Sequence, residues 1–275
     1  MTALSSLGEE LRHHDRDRFV CALFAPAAAR ESLFAVYAFD REIGRIVESM
    51  REPVLARMRL QWWRDALPRI AAASPPRHPI ADSVAAAIRG HGLDPRSFDR
   101  LLDARDAQID GPPTDMAALI VHAENTEGVV MDLALKVLGA DAASDAGHHV
   151  AVAWSLVEAI RALPHQAARR RHGLPVESLR HAGVIIDAMF TGQGGAPLVS
   201  VITEIATTAE ARLSEARALR HAVPRAAMPA LLPATLADVY LKRLKRAGFD
   251  PFAPLTQRPG GGRLSLLANA WRGRY

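Results

Sequence analysis

Nowhere does this chain sustain the every-other-residue alternation of β-branched and polar side chains that a half-buried strand requires. Apolar residues recur instead at helical spacing, between stops at Pro75-Pro76, Gly90 to Gly92, Pro112-Pro113, Gly139, Gly173 to Pro175, Gly192 to Gly195, Pro224 and Gly248. The spacing predicts helices over 27–49, 51–72, 79–90, 95–109, 114–138, 142–168, 177–190, 197–222 and 229–247. Thr114 and Asp141 are N-cap candidates. Gly248 stands where a helix C-terminus wants a residue tolerant of positive φ. No repeat of solenoid period occurs. The expectation is one all-α domain over 1–258. PGGGR (259–263) reads as a flexible link within a C-terminal tail, 259–275, that ends AWRGRY.

Composition narrows the function classes. Of 275 residues, 49% are hydrophobic and 23% charged, enough for a substantial core. The formal charge of +4 rests almost wholly on arginine, dispersed among acids, and aromatics make up only 5%. That pattern does not suit nucleic acid, which wants a basic stripe with stacking rings. Cys21 is the only cysteine, which excludes an internal disulfide and a thiolate metal cage. The segment MTALSSLGEELRHHDRDRF has no apolar signal region, and no apolar run reaches membrane-spanning length. The expected location is the cytoplasm. Gly-rich phosphate loops, G-x-S-x-G elbows and dinucleotide fingerprints are absent.

Two helices carry the residues of interest. Around YAFDREIGRIVES one face offers Asp40, Gly44 and Glu48, flanked by Arg41 and Arg45. Arg45 and Glu48 stand three apart, so a solvated face with a local ion pair is one reading and a binding face the other. In VAWSLVEAIRALPHQAARRRHGLP, Ser155, Glu158, Ala162 and Gln166 share a face, with Arg161 alongside. Pro164 there implies a kink or an early end. Glu158 is followed three residues on by Arg161, not histidine, so the di-iron pattern of carboxylate bundles is missing. Trp62 and Trp63 are adjacent and must point in different directions, with at least one in the core.

These segments resemble the squalene/phytoene synthase family. The match extends through DRFVCALFAPAAARESLFAVYAFDREI, RLQWWRDAL (59–67) and HAENTEGVVMDLALKVLG (122–139), and from Ala153 to Pro175. The resemblance implies the all-α isoprenoid-synthase bundle with a central cavity for prenyl chains. It implies an Asp-Asp-x-x-Asp cluster at Gly44, Arg45 and Glu48, and an Asp-x-x-x-Asp pair at Ala162 and Gln166. Ser155 and Glu158 stand where the family has Gln and Asn. Of the five expected aspartates, one is replaced by glutamate and four are lost. Magnesium needs oxygen donors from both helices to draw diphosphate off an allylic carbon. Gly44 and Ala162 supply none.

The chain is most like the branch with eroded aspartate motifs, related to assembly factors of respiratory complex I, in RLQWWRDAL, LKRLKRAGFDPF and WRGRY. That likeness implies a non-catalytic assembly or lipid-handling factor with no cofactor and no bound metal, whose partner is a respiratory-complex subunit or another assembly protein. A prenyl lipid or prenyl diphosphate in the cavity, held by Arg41, Arg45 and Arg161, is compatible with it. The alternative is an active head-to-head prenyltransferase using Mg²⁺, with Asp40, Glu48 and Glu158 as its remaining carboxylates. The apolar segment MPALLPATLADVY, followed by basic LKRLKR, has two readings, an ordinary core helix with a basic cap or peripheral contact with an anionic membrane at its inner face.

Overall fold

The helical punctuation is realised closely in the computed structural model, which describes residues 4–50, 52–257 and 262–275. Fifteen α-helices are described, with no strand among these residues. Ser5 and Asp15 cap two short helices that the periodicity did not separate, α1 (Ser6–His14) and α2 (Arg16–Ala22). They lead into α3 (Ala27–Ser49), followed by α4 (Pro53–Ala71), α5 (Pro79–His91) and α6 (Pro95–Ala107). Three of the last four begin on a proline, where the missing N–H has no helical partner to lose. Gly92 closes α5 with φ +62.

The expected helix 114–138 is broken in two. α7 (Met116–Ala123) and α8 (Val129–Val137) flank a π-helical turn at Glu124–Gly128. In it the Thr126 hydroxyl donates to the His122 carbonyl and the Asn125 amide to that of Val121. Asp115, not Thr114, caps α7. Thr114 uses its carbonyl to receive the Glu177 N–H. Asp141 lies in a short 3₁₀ turn, and α9 (Ser144–Ala167) starts three residues later. This helix runs through Pro164 and stops within a turn of it.

Helix α9 is the axis of the second half, packed between α8 and α12 (Gly195–Ala218). Small residues let it come close: a Cβ on Gly147 would stand 2.8 Å from Leu135 Cδ1 and 2.9 Å from Met131 Cγ, both on α8. The expected helix 177–190 is two short pieces, α10 (Val176–His181) and α11 (Ile186–Phe190), separated by Gly183 at φ +75.

Two expectations change at the far end. MPALLPATLADVY forms α13 (Met228–Leu231) and the start of α14 (Pro233–Arg246), and nearly all of it is buried. Its prolines begin helices inside the core, so this segment offers no apolar surface to a membrane. Gly248 ends α14 at φ +64 as its position implied. The second change concerns 259–275. The link proposed at 259–263 lies mostly outside the described residues, but the segment after it is no loose tail. α15 (Arg263–Arg272) packs on α14, with Asn269 Nδ2 donating to Thr235 Oγ1 at 2.9 Å. The buried Tyr275 hydroxyl donates to the Ala216 carbonyl at 2.8 Å.

Candidate functional site

Helix α3 points Asp40 inward and leaves Arg45 and Glu48 at the surface, because 40 and 44 share the apolar stripe of Val36, Phe39, Ile43 and Val47. Asp40 is almost fully buried and bound by two guanidinium groups. Arg18 of α2 donates to its Oδ2 at 2.8 Å, and Arg105 of α6 to its Oδ1 at 2.8 Å. Burial alone would raise the Asp40 pKa. Arg105 and then Arg18 more than offset that and hold it at about 2. Arg18 also pairs with Glu127 in the π-helical turn and lies over the Tyr37 ring, 5.4 Å from its centre. Burial, with the Asp40 charge nearby, pushes the Glu127 pKa up to about 7 against the pull of Arg18 and Arg105. Arg105 continues to Gln108 Oε1 at 3.0 Å, and the Gln108 amide donates to His122 Nε2. Burial, with Arg105 nearby, lowers that imidazole's pKa to about 4 and keeps it neutral.

This network joins α2, α3, α6, α7 and the π-helical turn, and it closes over the position expected to begin the first aspartate cluster. A Cβ on Gly44 would lie 3.5 Å from Arg105 Cζ. Arg45, expected to place a cation in the site or to pair with Glu48, turns outward and binds Glu42 at 2.8 Å. Glu48 is exposed; its carbonyl and that of Val47 accept Arg171 Nη1 at 3.2 and 3.0 Å, which caps the end of α3.

The second helix builds a separate group. Arg161 Nη1 donates to Asp17 Oδ2 at 3.1 Å and pairs with Glu158, and its guanidinium lies 3.7 Å from the centre of the Tyr240 ring. Tyr240 in turn donates to Asp17 Oδ2 at 2.7 Å. Burial raises the Glu158 pKa against the pull of Arg161. A pocket open to solvent lies beside Arg161 and Tyr240, walled by Val157, Ile160, Leu241 and Leu244. Ala162 and Ser155 are half-buried. Gln166 Oε1 is buried with no hydrogen-bond partner among the described residues, and faces Gly173.

Arg41 stands apart from both groups. It is half-buried, and no described side chain pairs with it; Asp40, one residue earlier, is held from other helices. A second pocket, between Arg18, Tyr37, Glu127, Met131 and Trp154, leaves room for little more than a water molecule.

Residues 11–267 match the squalene/phytoene synthase family. The chain belongs to that family. Its similarity to complex I assembly factor 6 of Bos taurus is 32% identity over 97% of this chain and 81% of that protein. Presqualene diphosphate synthase of Rhodopseudomonas palustris is 26% identical over 84% of both chains. A solved dehydrosqualene synthase superposes with a TM-score of 0.81 at 15% identity, covering 97% of this chain and 94% of that one. That last likeness is one of fold.

The residues present do not fit the magnesium that prenyl synthesis by this family calls for. On α3, Gly44 offers no donor, Arg45 and Glu48 face solvent, and Asp40 already spends both oxygens on arginine. On α9, Ala162 has no donor, Gln166 contributes only a neutral amide, and Glu158 is paired with Arg161. Among the described residues, no group of three or more His, Cys, Asp or Glu side chains converges in a way that could hold a metal ion. Arg18, Arg105, Glu127, Asp17 and Tyr240 escaped sequence reasoning. Arg18 lies 22 residues from Asp40 and 109 from Glu127, and Arg105 lies 65 from Asp40, so no local pattern links them.

Proposed function

We propose that this protein is a non-catalytic family member that serves as an assembly factor for respiratory complex I, working at the inner face of the membrane. The observation that carries the reading is Arg105 lying over Gly44 and bound to Asp40: a fixed internal cation stands where the catalytic relatives need a carboxylate for magnesium. The 32% identity to a protein named for complex I assembly supports the role. Its partner is then a subunit of that complex or another assembly protein. Among the described residues, no helix is long and apolar enough to cross a membrane, which fits attachment from one side.

The cations left in reach of a ligand are Arg41 and Arg161. Arg161, at the edge of an apolar pocket, suits the anionic head of a prenyl lipid or prenyl diphosphate, bound without metal.

Deleting the gene in its host tests the role. NADH:quinone reductase activity of the membranes, and the assembled complex on native gels, should fall while succinate oxidation stays intact. A full complement of active complex I in the deletion strain overturns the proposal. The 26% identity to a presqualene diphosphate synthase favours a second reading, head-to-head prenyl transfer. Loss of a squalene-type lipid from the same strain, with complex I intact, would establish that one instead.

A further inference from the structure

Helix α15 has two unlike faces. Leu266 is buried, Asn269 is bonded to Thr235, and Ala270 packs on the core, so one side is fixed to the body. On the other, Leu264, Leu267 and Trp271 are 83%, 57% and 81% exposed. Their i, i+3, i+7 spacing makes a single apolar stripe. A tryptophan this open to water, in line with two leucines, is an unpartnered surface.

The charge around the stripe says what covers it. There is no acidic residue from Gly262 to Tyr275. Arg272 and Arg274 are exposed at the Trp271 end. Arg225, also exposed, lies beside them, with its Nε 3.8 Å from where a Cβ on Gly273 would stand. The nearby Asp238 is occupied by Arg217 at 2.6 Å. Apolar side chains including a tryptophan, bordered by unopposed arginines on a helix lying flat on the protein, match the interfacial layer of an anionic bilayer.

We propose that α15 is a membrane-docking helix, which lays Leu264, Leu267 and Trp271 into the headgroup region of an anionic lipid surface with Arg225, Arg272 and Arg274 on the lipid phosphates. This rests on the membrane location in the functional reading and assigns it a surface. It does not depend on the assembly role.

Flotation of the full chain with vesicles tests it, using phosphatidylcholine alone or phosphatidylcholine with phosphatidylglycerol, at low and high salt. The protein should float with the anionic vesicles, less so in high salt, with a blue shift of tryptophan fluorescence. Leu264→Ser/Leu267→Ser/Trp271→Ala should weaken binding by about tenfold or more and remove the shift. Its melting temperature should hold, because these side chains are mostly exposed. Arg272→Ala/Arg274→Ala should flatten the salt dependence. Val54→Ser/Met58→Ser, at two exposed apolar positions of α4, should bind as the parent does. No binding at low salt overturns the proposal, as does undiminished binding by the triple variant. Loss of binding in the α4 variant overturns it too, while leaving the membrane location standing. If the triple variant converts a dimer to a monomer in light scattering, the stripe is a contact between copies and the proposal fails.

Discussion

Arg105 lies against Gly44: its Cζ is 3.5 Å from where a Cβ would be, and the same guanidinium bonds Asp40 at 2.8 Å. One arginine thus covers the position at 44 and takes up the buried carboxylate of the same helix face. An aspartate placed at 44 would meet that cation before any magnesium. Gly44→Asp alone should therefore show no Mg²⁺-dependent rise in melting temperature. A clear rise with millimolar Mg²⁺ would mean that Arg105 leaves the site easily.

Asp40 is the anion on which two buried arginines depend. Asp40→Asn keeps the shape and removes the charge, leaving Arg18 with Glu127 and Arg105 with neutral partners. Breaking a buried pair in this way costs about 3–5 kcal/mol, to be read from the urea midpoint. The pH response follows from the direction of the shift. The folded pKa is lowered to about 2, so the stabilisation is complete above the unfolded value near 3.8 and is lost as pH falls through 2. The parent should lose stability across that window, and Asp40→Asn should lose less.

Glu127 carries the opposite sign. Its folded pKa is raised to about 7, so the folded state holds this proton more tightly than the unfolded chain does. Stability from this group is full below the unfolded value near 4.5 and declines as pH rises to about 7. Glu127→Gln retains an oxygen for Arg18 and cannot ionise. Thermal melts from about pH 4.5 to 7.5 should be flatter for this variant than for the parent, and equal slopes would count against the burial of that carboxylate.

How far the chain could be read without its fold depended on the distance between partners. The helices were legible because periodicity and punctuation are local: the 27–49 prediction coincides with α3, and Gly248 stops α14. The absent aspartates at 44 and 162 were legible by resemblance. What fills the gap was not, since Arg105 comes to Asp40 from 65 residues away and Arg18 reaches Glu127 across 109. MPALLPATLADVY stayed open between core and membrane for another reason. An apolar run has no polar side to show which way it faces, and prolines that begin helices look like prolines that break them. In RLSLLANAWRGRY the exposed stripe was present in the letters, but its exposure depends on the docking of Leu266 and Tyr275, which only the packing reveals.

The purified protein should not release diphosphate from farnesyl or geranylgeranyl diphosphate in a magnesium-dependent way. Ionising an allylic diphosphate needs the metal to neutralise the leaving group, and a metal needs oxygen donors from both helices. Helix α3 supplies an exposed Glu48 and a committed Asp40; α9 supplies Ala162, the amide of Gln166 and a Glu158 already paired with Arg161. Losing even ~4 kcal/mol of transition-state stabilisation slows a reaction about a thousandfold, and here the donor set is gone. Arg161 can still hold the diphosphate, so binding without turnover is the expected result. Phosphate release and lipid extraction should match a heat-killed control, while circular dichroism of the same sample shows the helices intact. Squalene, phytoene or a cyclopropyl intermediate above that control would make the protein a transferase. It would also require Arg105 to move off Asp40 during turnover, a displacement that an Arg105→Gln variant would expose as a change in kcat.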